Sequence, residues 1–371
     1  MKTADDVLKA DLDYISGAGA GAELGQMSGK RLMIAGGAGF LGYYLVQGAL
    51  YWNRVNAGKA PISVLVLDNF IRGVPAWLTA LGSDRNLATL KHDITLPLPA
   101  SLGDLDYIIH AASIASPIYY RKYPIETMDA NINGLRFMLD YCVAQGGRGK
   151  PVSGILFYSS SENYGDPTPE NIPTPETYRG NVSCTGPRAC YDESKRFGET
   201  LCVNFAKQHG VHVRVARPFN NYGPGLKITD GRVIPDFARN ILNGQDIVML
   251  SDGLAKRTYC YTADAVSGYF QVLVKGRDGE AYNVGVEHPE ISVIDLAERA
   301  IALGRELFGY KGRVVRSVSA DKEYLVDNPN RRCPVITKAR TELGYDPKVI
   351  IDEGLKRSLL WYSGNREASE A

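Results

Sequence analysis

Two rhythms of apolar and polar residues alternate along this chain. Short, largely apolar runs recur at 31–35, 62–67, 107–109, 154–157 and 213–216. They are too brief for helices, and they predict strands buried within a sheet. Between them apolar positions return every three or four residues, which predicts helices at about 39–55, 128–144 and 191–209. Strands alternating with helices imply an α/β fold, a Rossmann-type doubly wound parallel sheet covered on both faces. After Tyr222 the pattern breaks into short segments and turns, such as Gly223-Pro-Gly225 and Ser251-Asp-Gly253. These predict a smaller C-terminal lobe closing over the first domain.

The first 29 residues read as a separate N-terminal extension. A short amphipathic helix is expected from Asp5 to Ile15, with Val7, Leu8, Leu12 and Ile15 on one side. Ser16-Gly-Ala-Gly-Ala-Gly-Ala22 then reads as a flexible spacer. The expected division is 1–29 for the extension, 30–220 with 258–282 for a dinucleotide-binding domain, and 221–257 with 283–371 for a substrate lobe.

Composition narrows the partners. Among 371 residues, 42 Lys and Arg stand against 41 Asp and Glu, so the charge of +1 gives no electrostatic case for nucleic acid or a membrane surface. No apolar run reaches the roughly 18 residues that cross a bilayer, and the N-terminus lacks signal-peptide features. Six Cys without a C-x-x-C pair suggest reduced thiols in a cytoplasmic protein, with no metal site.

Gly36-Gly-Ala-Gly39-Phe-Leu-Gly42 lies between the first strand and the first helix. Glycines there let the backbone turn tightly and approach a pyrophosphate, which the helix N-terminus then meets with free N–H groups. Asp68 ends the second strand, where a carboxylate accepts from both adenosine ribose hydroxyls and repels a 2′-phosphate. That favours NAD over NADP, although Arg72 stands nearby. Asp93 is placed for the adenine edge, or is an ordinary turn residue.

Tyr191 and Lys195, four apart, share one helical face, where an ammonium can lower a phenol's pKa and make it a base. Ser160, Ser161 and Glu162 follow the apolar strand 154–157, at the carboxyl edge where ligands gather. A hydroxyl there can bind the substrate hydroxyl that Tyr191 deprotonates, and a carboxylate two residues on can act at a neighbouring carbon. His110, after an apolar strand, reads as structural.

From about Lys30 to Leu360 the chain resembles the extended short-chain dehydrogenase/reductase family that modifies nucleotide sugars, and within it the UDP-glucuronic acid decarboxylases. The resemblance rests on Gly186-Pro-Arg-Ala-Cys-Tyr-Asp-Glu-Ser-Lys-Arg196, Ser160-Ser-Glu-Asn-Tyr-Gly-Asp-Pro167, Arg214-Val-Ala-Arg-Pro-Phe-Asn-Asn-Tyr-Gly-Pro224 and Asp230-Gly-Arg-Val233. It implies Tyr191 as the base at C4, Ser160 as its partner, and Lys195 on the nicotinamide ribose. Glu162, with Ser161 before it, is implied as the acid of decarboxylases and dehydratases, and Arg332 as the Arg facing the sugar. It implies NAD held by Gly36, Gly39, Phe40, Leu41, Gly42, Asp68, Asn69, Asp93 and Ile94. Ser116, Tyr120, Asn220, Arg232 and Arg257 are implied at the nucleotide sugar. A homodimer through the helices near 128–144 and 191–209 is implied as well.

Five positions in four segments depart from the decarboxylase pattern. Leu250 stands for a Tyr beside the base, and Gly225-Leu226 for Arg-Met. Val335 stands for Asp, and Ile114 for Pro. A 4,6-dehydratase, a 4-epimerase and a non-catalytic dinucleotide sensor remain open. Ser161 weighs against dehydration, because that reaction places an Asp before the Glu as general acid. Glu162 and Arg332 weigh against epimerisation.

Overall fold

The computed structural model describes residues 1–318 and 326–366. Residues 319–325 and 367–371, parts of the expected substrate lobe, lie outside them. Seven parallel strands form the central sheet. In chain order, β1 is Arg31–Ala35, β2 Ser63–Asp68, β3 Leu87–Lys91, β4 Tyr107–His110, β5 Gly154–Tyr158 and β6 Val213–Pro218, and the seventh strand is Ala281–Val284. Their spatial order is β3-β2-β1-β4-β5-β6, with Ala281–Val284 beyond β6. That is the doubly wound Rossmann order, with its switch point between β1 and β4. Register is tight: Leu32 lies between Val64 of β2 and Tyr107 of β4.

Five of the seven strands fall where the apolar runs predict. β3 was missed because it is an edge strand with exposed Ala88, Thr89 and Lys91, and carries no buried pattern. Ala281–Val284 escaped because the polar Asn283 interrupts its apolar run. The first helix starts at Gly42 rather than Gly39, because Gly39 still closes a turn onto the Gly36 carbonyl at 3.0 Å. Two layers of core result. One, under Leu32, Ile34, Val64 and Val66, packs the helices Gly42–Val55 and Thr262–Lys275; the other, under Met33, Leu65 and Ile155, packs Pro124–Gly147 and Ala189–His209. The smaller C-terminal lobe is built on helices Val233–Leu242, Val293–Phe308 and Ile351–Gly364.

The N-terminal segment corrects the sequence expectation. Its helix, Ala4–Tyr14, is present and capped by Thr3. The expected spacer is instead a π-helical turn, Ile15–Gly19, followed by helix Gly21–Gln26, with Ile15, Gly19 and Leu24 buried. Small residues are required here for packing rather than flexibility: a Cβ on Gly19 would sit 2.3 Å from Ser267 Oγ. Buried Asp11 ties the segment down, accepting from Tyr44 and Tyr261 hydroxyls at 2.5 Å each and from Arg357 at 2.6 Å.

All six cysteines are free. No helix among the described residues is long and apolar enough to cross a membrane.

Candidate active site

Because every main strand is parallel, all the carboxyl ends open on one edge, and the candidate residues collect there. After β1 the chain turns at Gly36, whose φ is +77° and whose hypothetical Cβ would lie 2.5 Å from the Ala112 backbone. A Cβ on Gly42 would meet the Gly37 carbonyl oxygen at 2.2 Å. Only glycines allow this turn to fold back on itself. Asp68, at the end of β2, pins it: one oxygen accepts from the Ala38 N–H at 3.1 Å, the other from Phe70 at 2.9 Å. Both oxygens retain a lone pair for hydroxyls. Asp93 accepts from the Thr95 N–H and hydroxyl at 3.0 and 2.8 Å; these bonds, with one from Asn69, hold its carboxyl below its usual range. The Ile94 side chain is buried, in contact range of Gly134 in the core, and Leu41 packs on the other core layer. The glycine turn and its carboxylate fit a dinucleotide.

Past β5, Ser160 caps a 3₁₀ turn, Ser161–Tyr164, its Oγ accepting from the Glu162 N–H at 3.1 Å. Tyr191 lies in the first turns of helix Ala189–His209, buried, with its ring stacked on Tyr120 at 5.1 Å and 14°. Burial pushes the Tyr191 phenol up to about 12; the Ser160 hydrogen bond works against that rise, while Glu162 and Asp192 add to it. Lys195 lies on the same helical face. Its ammonium donates to the Tyr158 carbonyl at 2.8 Å and lies 5.5 Å from the Tyr191 ring centre. Burial draws it down to about 7, and the leading influences on the phenol are burial, Ser160, Glu162, Asp192 and Arg232 instead. His110 is buried beside Phe157, and burial, with Lys195 nearby, brings it down to about 3, so it stays neutral. That agrees with a structural role.

Glu162 sits in a cage of guanidinium groups. Arg188 donates to its Oε2, and Arg332 reaches the same oxygen at 2.9 Å while also holding the Ser161 carbonyl. Burial opposes its charge, but Arg188 and Arg332, with Arg257 beyond them, hold the carboxyl down to about 2. Glu162 is therefore ionised at neutral pH. Asp192 lies 3.9 Å from Arg188 on the other side; burial and the Glu162 charge drive it up, to about 8.

Arg188 and Asp192 are the members that residue-by-residue reasoning missed. The signal was present in Gly186-Pro-Arg-Ala-Cys-Tyr-Asp192, where a lone Arg precedes the base by three and pairs with an acid four residues on.

The remaining residues frame this centre. Ser116 Oγ donates to the Asp230 carbonyl at 3.1 Å, Asp230 pairs with Arg232, and Arg232 lies over the Phe40 ring at 5.4 Å. The glycine turn and the Tyr191 pocket are thereby joined. Arg257 is held by the carbonyls of Lys256, Asn330 and Pro329, and its strand, Lys256–Arg257, runs beside Arg331–Arg332. Asn220 adopts φ +42° and donates to the Thr258 carbonyl at 2.8 Å.

A dinucleotide turn, a buried Tyr–Lys pair and a caged acid on one sheet edge agree with what comparison with known proteins gives. Residues 32–285 match the NAD dependent epimerase/dehydratase family, and the chain belongs to it. It is an NAD-dependent enzyme that modifies nucleotide sugars. It is 38% identical to UDP-glucuronic acid decarboxylase 5 of Arabidopsis thaliana over 88% of each chain. It is 35% identical to UDP-glucuronic acid decarboxylase 1 of Xenopus tropicalis over 91% of this chain and 73% of that one. Among solved structures, the dTDP-glucose 4,6-dehydratase of Streptomyces venezuelae with NAD bound superposes with a TM-score of 0.76 at 27% identity, over 91% of this chain and 98% of that one.

Proposed function

We propose that the chain is a decarboxylase of a nucleoside-diphosphate hexuronic acid such as UDP-glucuronic acid, forming the corresponding pentose. The observation that carries the reading is Glu162, kept ionised by Arg188 and Arg332 on the turn that also presents Ser160 to Tyr191. A serine precedes Glu162, so dehydration lacks the general acid it needs there. The similarity to UDP-glucuronic acid decarboxylases of plants and a frog supports the same substrate.

Bound NAD supplies the hydride acceptor, and later the donor, at C4. Gly36, Gly39, Phe40, Leu41 and Gly42 hold its pyrophosphate, Asp68 and Asn69 its adenosine ribose, Asp93 and Ile94 its adenine end, and Lys195 its nicotinamide ribose. Tyr191 takes the C4 hydroxyl proton, and the Ser160 hydroxyl steadies the developing phenolate. The resulting 4-ketone stands β to the C6 carboxylate. The C5–C6 bond then breaks with its electrons moving toward the ketone, and CO₂ leaves. The ionised Glu162 orients a water that delivers a proton to C5 in place of the lost carboxylate, the hydroxide left behind being reprotonated from solvent, and Tyr191 gives its proton back at O4. Arg332 and Ser161 fix the Glu162 turn against the sugar. Ser116, Tyr120, Asn220, Arg232 and Arg257 hold the nucleotide sugar.

Two further features support a homodimer built through helices Pro124–Gly147 and Ala189–His209: the helices pack on each other, and they leave Ile125 and Phe197 exposed. Light scattering at micromolar concentration checks it; a monomer there refutes it. The reaction is tested by incubating the protein with UDP-glucuronic acid and NAD. CO₂ release with formation of a UDP-pentose is expected. Loss of water, or C4 inversion with the carboxylate retained, overturns the reading.

A further inference from the structure

A second, largely buried polar cluster lies beneath the catalytic turn, outside the roles assigned above; its central pair, Glu199 and Arg217, is partly exposed. Glu199 follows Tyr191 by eight residues and Lys195 by four on the same helix. One of its oxygens accepts from Ser159 Oγ at 2.5 Å, Asn163 Nδ2 at 2.7 Å and Arg217 Nε at 2.8 Å; the other accepts from Arg217 Nη2 at 2.6 Å. Asn163 also donates to Ser159 Oγ at 2.7 Å. Arg217 continues to the Tyr164 hydroxyl at 2.7 Å, and Tyr164 donates to Asn283 at 2.7 Å, on the outermost strand. Asn283 is itself held by the Thr174 and Val335 carbonyls, 3.0 Å each.

Ser159 stands just before Ser160, and Asn163 just after Glu162. Both ends of the segment that carries the serine and the acid therefore hang on one carboxylate, and that carboxylate belongs to the helix that carries Tyr191. We propose that the Glu199–Arg217 pair is a positioning device for the chemistry, fixing Ser160 in register with the Tyr191 hydroxyl. A two-pronged Arg–carboxylate contact suits this task, because it fixes orientation as well as distance. A single bond would let the turn swing about it. The inference rests on Ser160 and Tyr191 being a chemical pair, and is independent of which nucleotide sugar is turned over.

The test is the pH dependence of kcat for the wild type, Ser160→Ala, Glu199→Gln and Ser159→Ala, reading whichever product the wild type forms from a panel of nucleotide sugars. Tyr191 must lose a proton to act, so activity rises with pH through its pKa. Removing the Ser160 hydrogen bond raises that pKa and moves the acid limb to higher pH, by about one unit. Glu199→Gln is expected to reproduce the direction of that shift and to lower kcat on the order of 10- to 100-fold. KM and NAD affinity are expected to stay within about twofold, because no binding group is removed. Ser159→Ala, which breaks one strut and keeps the ion pair, is expected to give a smaller shift of the same sign, and it decides the matter alone should Glu199→Gln fail to fold. A shift in Ser160→Ala with none in Glu199→Gln or Ser159→Ala overturns the positioning role and leaves the chemistry standing. No shift in Ser160→Ala overturns both.

Discussion

Glu162→Gln is the substitution that tests the chemistry most directly. The change keeps shape and one acceptor oxygen but removes the charge that Arg188 and Arg332 share. The carboxyl falls from an ordinary 4.5 to about 2 in the fold. That difference corresponds to roughly 3 kcal/mol favouring the ionised form. The stabilisation is fully present above pH 4.5, and is lost as pH falls from there toward 2. In the Gln variant this acid-labile increment disappears, so its stability varies less between pH 4.5 and 2 than that of the wild type. Arg332, 2% exposed, then keeps a neutral acceptor in place of its counter-charge, and a loss on the order of 2–3 kcal/mol at pH 7 is expected in urea unfolding. Catalysis changes in two opposite ways. CO₂ release slows by about 10²- to 10⁴-fold, the ordinary worth of a positioned acid–base group. Meanwhile the acid limb of the residual rate moves to lower pH, because the Glu162 charge raises the Tyr191 phenol and that charge is gone. NAD affinity, measured by quenching of protein fluorescence, stays unchanged. Undiminished CO₂ release would remove Glu162 from the mechanism. A limb that moves upward would contradict the electrostatic account of Tyr191.

Tyr191→Phe is expected to abolish sugar conversion, to below about 10⁻³ of wild type, with NAD affinity retained; NMR of the sugar product checks it. Gly36→Ala places a Cβ 2.5 Å from the Ala112 backbone at φ +77°, so isothermal titration should show NAD affinity falling at least about tenfold, with a stability loss on the order of 1–3 kcal/mol. His110 is neutral in the fold, down to about pH 3, whereas the unfolded chain protonates it below 6.5. The folded state therefore binds fewer protons between those values, and His110 lowers stability as pH falls, on the order of 2 kcal/mol at pH 5. His110→Gln is expected to flatten that slope in thermal unfolding between pH 7 and 5. Asp11→Ala leaves two buried tyrosine hydroxyls without their acceptor and Arg357 with Glu353 alone, and should cost on the order of 2–4 kcal/mol by chemical denaturation.

Local sequence alone determined the strands that are buried on both faces, the glycine turn, the acid ending β2, and the helix that sets Tyr191 four residues before Lys195. Each of these depends on neighbours in the chain: an apolar run, a φ that only glycine reaches, or a helical repeat. The edge strand Leu87–Lys91 escaped because its order comes from pairing with β2, not from burial. Gly17, Gly19 and Gly21 read as a linker because local sequence cannot see the Ser267 wall against which Gly19 packs. The electrostatic state of the site belonged entirely to tertiary structure. Lys195 turned to a backbone carbonyl instead of the phenol, and Arg332 came from 170 residues away to share Glu162 with Arg188. Charge energies depend on distance and on exclusion of water. Both are set by how remote segments pack, so no spacing along the chain could have fixed them.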